Sequence, residues 1–143
     1  LYRIIPRTLL SAQTGKPMEL HGGGHSERAF IHIKDVVRAT LQLASAGEPG
    51  STWHLSTQES CTIRALVEQI CSMCGSDFNA LVQNSDERLG KDQSYLLDST
   101  AMRQVHGWSD RVTIKQGLQE TLGWVNANLN TLNTLPWNYQ HKT

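Results

Sequence analysis

Three consecutive glycines, Gly22 to Gly24, run into His25-Ser26-Glu27-Arg28 and on into Ala29-Phe30-Ile31-His32-Ile33-Lys34-Asp35-Val36. The glycines make a flexible turn. The next residues alternate as a strand over Ala29 to Ile33, with Phe30 and His32 on one face and Ala29, Ile31 and Ile33 on the other. Asp35 then has the chemistry of an N-cap for a helix reaching about Ala46. Arg28 falls where a mobile loop meets a rigid strand, a good place to clamp a phosphate bidentately. The bland alternative is a surface arginine paired with Glu27 or Asp35. The glycines do not fit G-x-G-x-x-G, and a strand rather than a helix follows them, so a dinucleotide fingerprint is rejected.

The rest of the chain reads as short strands among helices. Ile4 to Thr14 is a helix that stops at Gly15, with Pro6 tolerated in its first turn. Met18 to Leu20 is a short strand, Ser51 to Ser56 another, and Ala80 to Gln83 a weak one. Thr62 caps a helix that runs to about Met73 and stops before Gly75. Asn84 to Ser94 is a polar loop, followed by a short extended piece at Tyr95 to Leu97. Ser99 caps a short helix ending near His106-Gly107. Thr113 caps a long one with Ile114, Leu118, Leu122, Val125 and Leu129 in a stripe. The expected fold class is α/β, with α+β character: a small sheet of short strands packed with about five helices. The domain is expected over 1–129, with a polar tail over 130–143 in which Trp137 and Tyr139 dock. So few strands make a poor core unless helices or another domain cover them.

At 143 residues the chain is about one domain long, and its formal net charge is zero. No long basic run points to nucleic acid, and no apolar run is long enough to span a membrane. Arg3, Pro6 and Arg7 interrupt the opening apolar stretch, which is not read as a signal peptide. The chain begins without Met on a helix-like pattern, as a truncated protein would. Its three cysteines, Cys61, Cys71 and Cys74, are read as reduced thiols in a cytoplasmic protein. Cys71 and Cys74 form a lone C-x-x-C on the apolar face of a helix, which favours packing over a zinc site.

His21 and His25 flank the glycines and His32 follows, but such a loop does not preorganise a metal site. Arg88 lies in Asp86-Glu87-Arg88-Leu89-Gly90-Lys91-Asp92, where a solvated charged loop competes with a second phosphate contact. No Y-x-x-x-K, nucleophile elbow or carboxylate pair stands out. No self-contained catalytic constellation is visible.

Five segments in order carry a resemblance. They are Arg3-Ile4-Ile5-Pro6 with Thr14-Gly15-Lys16-Pro17, Gly22 to Asp35, Gly50 to Leu55, Arg88 to Asp92 with Tyr95 and Asp98, and His106-Gly107-Trp108 with Gly117-Leu118 and Trp124. Together the chain resembles the C-terminal, substrate-binding portion of the extended short-chain dehydrogenase/reductase family, the NAD-dependent sugar-nucleotide epimerases and dehydratases. Within that family it looks most like the 4,6-dehydratases and 4-epimerases. It departs from the usual pattern at His54, at Ser56-Thr57, at Glu59 and at Leu89.

The resemblance implies a nucleoside-diphosphate sugar as ligand. Arg28 and Arg88 would hold the diphosphate, Arg3 would approach it, and Met18 to His21, including Glu19 and Leu20, would run beside the base. It also implies NAD(P) in the complete parent enzyme, bound by an N-terminal Rossmann domain that this sequence lacks. No cofactor is expected on this chain alone, and no activity. The alternative is a stand-alone, non-catalytic binder or self-associating module, and a homodimer is expected. A zinc-binding regulatory domain on Cys71 and Cys74 is the third reading.

Overall fold

The computed structural model describes residues 2–87, 90 and 92–137. Its main core is helical. Helix α1 (Ile4–Thr14) ends at Gly15, whose φ of 69° is left-handed and suits glycine. Helix α3 (Ile63–Cys74) is capped by the Thr62 hydroxyl, which accepts from the Ala65 N–H, and ends at the left-handed Gly75. Helix α6 (Ile114–Ala127) opens with a capping box between Thr113 and Gln116. Their apolar stripes meet in one cluster of Leu9, Leu10, Leu66, Ile70, Leu118 and Val125.

The 129/130 boundary falls inside a further helix, α7 (Leu129–Thr134), so the polar tail expected from 130 starts as packed structure. Leu132 is buried in the main core and Trp137 packs against it. The Lys16 ammonium sits 4.6 Å from the centre of the Trp137 ring, which docks the chain as expected. Tyr139 lies outside the described residues.

The strands form two small sheets. Strand β1 (Met18–His21) pairs in parallel with β4 (Val82–Ser85), in register Met18 to Val82 and His21 to Ser85. Leu20 points inward to Val67, Cys71 and Leu81. Cys71 is therefore core filling. In the second sheet β2 (Glu27–Arg28) lies between β3 (Cys61–Thr62), antiparallel, and β5 (Ser94–Tyr95), parallel. Short helices α4 (Phe78–Leu81) and α5 (Thr100–His106) complete the seven helices among the described residues, against about five expected. None of the described helices is long and apolar enough to cross a membrane.

Four expectations are corrected. The strand over Ala29 to Ile33 is a two-residue strand at Glu27–Arg28, after which the chain joins no ladder and enters helix α2 (Ile33–Ala46). Its alternation survives as packing, because Phe30 contacts the main core and Ile31 a second one of Ala39, Met102 and Trp108.

The cap of α2 is His32, whose Nδ1 accepts from the Lys34 N–H at 3.3 Å. Asp35 is drawn inside instead. It is fully buried, accepts from the Arg111 and Val112 N–H groups at 3.0 Å each, and pairs with Arg38 at 2.8 Å. Burial by itself would raise its pKa, but those hydrogen bonds and the Arg38 charge outweigh it and hold the carboxyl below the ordinary value.

Ser51 to Ser56 forms no ladder among the described residues. Trp53 and Leu55 pack on the second core while Thr52 and His54 face outward. The pattern of a strand is present, but no neighbouring strand among the described residues lies beside it to accept the backbone. Ser99 does not cap α5 through its side chain. Its hydroxyl donates to the Ser56 carbonyl, and Asp98 accepts the Thr100 N–H instead.

Candidate functional site: a guanidinium-lined cleft

Arg28 is fixed by its sheet. Glu27 N–H donates to the Gln93 carbonyl at 2.7 Å, and the Ile63 N–H to the Ser26 carbonyl at 3.0 Å, so the backbone is held on both sides. The guanidinium donates from Nη1 to the Glu27 carbonyl (2.6 Å) and from Nη2 to the Asp92 carbonyl (2.8 Å). Neither carboxylate that could neutralise it does so. Glu27 accepts from the Ser60 hydroxyl, and Asp35 is taken by Arg38. Among the described residues no carboxylate pairs with Arg28, and, having five N–H donors, it keeps some of them for a ligand.

That charge borders a cleft of about 430 Å³, lined also by Phe30, residues 57–61, Arg103 and the 109–114 turn leading into α6. Three guanidinium groups, Arg28, Arg103 and Arg111, line it with two carboxylates, Glu59 and Asp110. Asp110 is bound to Arg103 at 2.5 Å. Burial pushes its pKa up, but hydrogen bonds from Arg103 and Thr57 prevail and leave it lowered. Burial, helped by the Glu27 charge, pushes the Cys61 thiol up, so the one sulfur lining the cleft is a protonated, poor nucleophile at neutral pH. Three guanidinium groups give the cleft the charge and the donors to hold an anion.

Of the other candidate residues, none that is described lines this cleft. Arg3 is exposed at the start of α1 and lies over the Tyr2 ring at 5.1 Å. Glu19 is exposed on β1, and Leu20 is 3% exposed, so its side chain belongs to the core and only its backbone is left for a ligand. His21 Nδ1 lies 2.7 Å from the Ser85 hydroxyl across the β1–β4 pair. Arg88 lies outside the described residues. Cys61, Arg103, Asp110 and Arg111 went unnoticed as site residues because they come from three separate segments whose convergence leaves no periodic trace.

The glycine turn does not fit a dinucleotide pyrophosphate. Gly22, Gly23 and Gly24 all have positive φ (58°, 65° and 74°), which is why glycine occupies each. A Cβ on Gly22 would lie 1.9 Å from a Glu87 carboxylate oxygen, and one on Gly24 would lie 2.9 Å from the Arg64 backbone nitrogen. The close approach is made by the protein itself, with an acid where a phosphate would need donors.

A sequence model of the GDP-mannose 4,6 dehydratase family matches residues 1–121. The chain belongs to that family. Family relatives include a dTDP-glucose 4,6-dehydratase of Streptomyces niveus, 32% identical over 126 residues, covering 88% of this chain and 37% of the relative. A trifunctional UDP-glucose 4,6-dehydratase/UDP-4-keto-6-deoxy-D-glucose 3,5-epimerase/UDP-4-keto-L-rhamnose-reductase of Arabidopsis thaliana is 29% identical over 126 residues, covering 88% of this chain and 19% of the relative. Among solved structures, the dTDP-glucose 4,6-dehydratase of Bacillus anthracis in complex with NAD superposes with a TM-score of 0.83 at 26% identity, over 90% of this chain and 40% of that one. The chain thus spans well under half the length of these family members. The α/β expectation and the resemblance to sugar-nucleotide dehydratases and epimerases both hold.

Proposed function

We propose that these residues form the nucleotide-sugar-binding part of an NAD(P)-dependent sugar-nucleotide 4,6-dehydratase or 4-epimerase. In this reading NAD(P) is bound, and hydride transferred, by a Rossmann part outside this sequence. The observation that carries it is Arg28: a guanidinium fixed by a three-stranded sheet, unpaired with any described carboxylate, at the edge of a cleft of 430 Å³. Such a group gives a diphosphate charge-assisted hydrogen bonds. Arg88, four residues in sequence before the Asp92 whose carbonyl meets Arg28, is assigned as the second phosphate contact.

Two features support a covering domain. The Ser51–Ser56 segment is extended without a ladder, and α2 leaves Ile33 (64% exposed), Val37 (48%) and Leu41 (66%) on one outer face. Spaced four apart, they form the kind of stripe a helix buries against something else. The same stripe also favours the second reading, a self-associating module in which another copy of the chain covers it.

The test is ligand-observed NMR with UDP-glucose and dTDP-glucose on the full polypeptide that carries these residues. Replacing Arg28→Ala is expected to weaken binding by about 1.5–3 kcal/mol, the worth of a hydrogen bond to a charged group. Equal signals from wild type and variant would remove Arg28 from the site.

A further inference from the structure

The loop across the cleft floor is a partition. Residues Thr57 to Ser60 line the Arg28 cleft and also a second one of about 310 Å³, which Ser99 and Asp98 border. Where that short segment lies decides how the space is divided. At its far end it runs into β3, beside Arg28, and the Ser60 hydroxyl donates to Glu27. At its near end it is gripped by charged groups. Arg103 Nη2 donates to the Ser56 carbonyl at 2.8 Å and to Asp110 at 2.5 Å, and Arg103 Nε donates to the Ser99 hydroxyl at 3.0 Å. Ser99 in turn donates to the same Ser56 carbonyl at 3.0 Å. The Arg103 guanidinium also lies 5.0 Å from the Trp108 ring centre, and Thr57 bonds to Asp110.

Ser56 and Ser99 are both 5% exposed, so these bonds are made away from water, where losing a partner is costly. A lysine could not serve the same three acceptors, because its donors radiate from one point rather than from a planar fork.

We propose that Arg103 and Asp110 are positioning residues for nucleotide-sugar binding, which clamp the 56–60 segment as the shared wall of two clefts and so set the width of the one beside Arg28. The proposal rests on the binding reading above. The pair acts through the segment.

The experiment measures UDP-glucose affinity and amide hydrogen exchange together, in the full polypeptide, for wild type, Arg103→Met, Asp110→Asn and the double variant. Each single change is expected to weaken UDP-glucose roughly tenfold and to speed exchange at residues 56–60, leaving α1 and α6 protected. The double variant should be no worse than the singles, because both break one clamp. Unchanged affinity with faster exchange at 56–60 overturns the proposal, as does unchanged exchange there, or a double variant that sums the two singles. If Arg103→Met loosens the whole chain, Asp110→Asn carries the test alone. A wild type that binds no UDP-glucose or dTDP-glucose overturns the binding reading itself, and the clamp's role in binding with it. A wild type that binds while the variants match it overturns only the clamp.

Discussion

Two of the three apolar clusters among the described residues are built on different principles. The main one, between α1, α3 and α6, buries Leu9, Leu10, Leu66, Ile70 and Val125 completely. The second, between α2 and α5, has Ala39, Met102 and Trp108 as its buried centre, with Ile31, Leu43, Trp53 and Leu55 partly buried around it. What the second lacks in apolar contact it makes up in directed polar bonds. Trp108 Nε1 donates to the Asp35 carbonyl at 3.2 Å, Arg38 and Gln42 donate to the carbonyls of Ser109 and His106, and Arg103 grips Ser56. Non-directional burial tolerates small shifts, whereas a hydrogen bond weakens steeply with angle. The helical side is therefore a scaffold, and the polar side is where a partner or ligand can be felt.

The contrast can be broken most forcefully at its apolar end. Leu66→Ala is expected to lower unfolding stability by about 2–5 kcal/mol in urea titration, because a fully buried leucine leaves a cavity. A loss near zero would mean the main core is not the scaffold.

Asp35→Asn probes the polar side. It should cost about 3 kcal/mol, since it leaves Arg38 without its buried partner. It also carries a pH signature. The folded pKa of Asp35 is depressed below the ordinary 3.8, so its contribution is fully present above that value and is lost as pH falls through the folded pKa. Acid titration of stability should therefore be steeper below pH 3.8 in wild type than in Asp35→Asn, and parallel acid limbs would count against the assignment.

The smallest expected effect is on the outer face of α2. Leu41→Lys should change stability by no more than about 0.5 kcal/mol. If a second copy of the chain covers that face, light scattering should show an oligomer in wild type and a monomer in the variant. A monomeric wild type would remove self-association and leave another domain as the cover.

Much of the scaffold was legible. Gly15, Thr62, Gly75 and Thr113 each terminate or start a helix for local reasons, and local reasons are what a sequence displays. Asp35 was misread because it has better cap chemistry than His32. Its interior partners, Arg111 and Val112, are 76 and 77 residues away and outcompete the cap. Ser51 to Ser56 showed its alternation plainly, yet a strand also needs a neighbour, which no local pattern can supply. The site divides the same way. Arg28 stood out through the turn before it, while Arg103 and Asp110 flank Gly107 on either side of a helix end, a spacing that no regular period marks. The glycines were read as a flexible turn, whereas Glu87 and the start of α3 pack closely against them.

The parallel β1–β4 pair also bears on how the chain folds. His21 and Ser85, which meet across it, are 64 positions apart, and nearly half the molecule intervenes. Closing a loop of that size costs on the order of 4 kcal/mol of chain entropy before a single rung of the pair forms. Such a ribbon cannot nucleate; it is expected to zip late, once docking of α1 on α3 has already brought its two ends within reach.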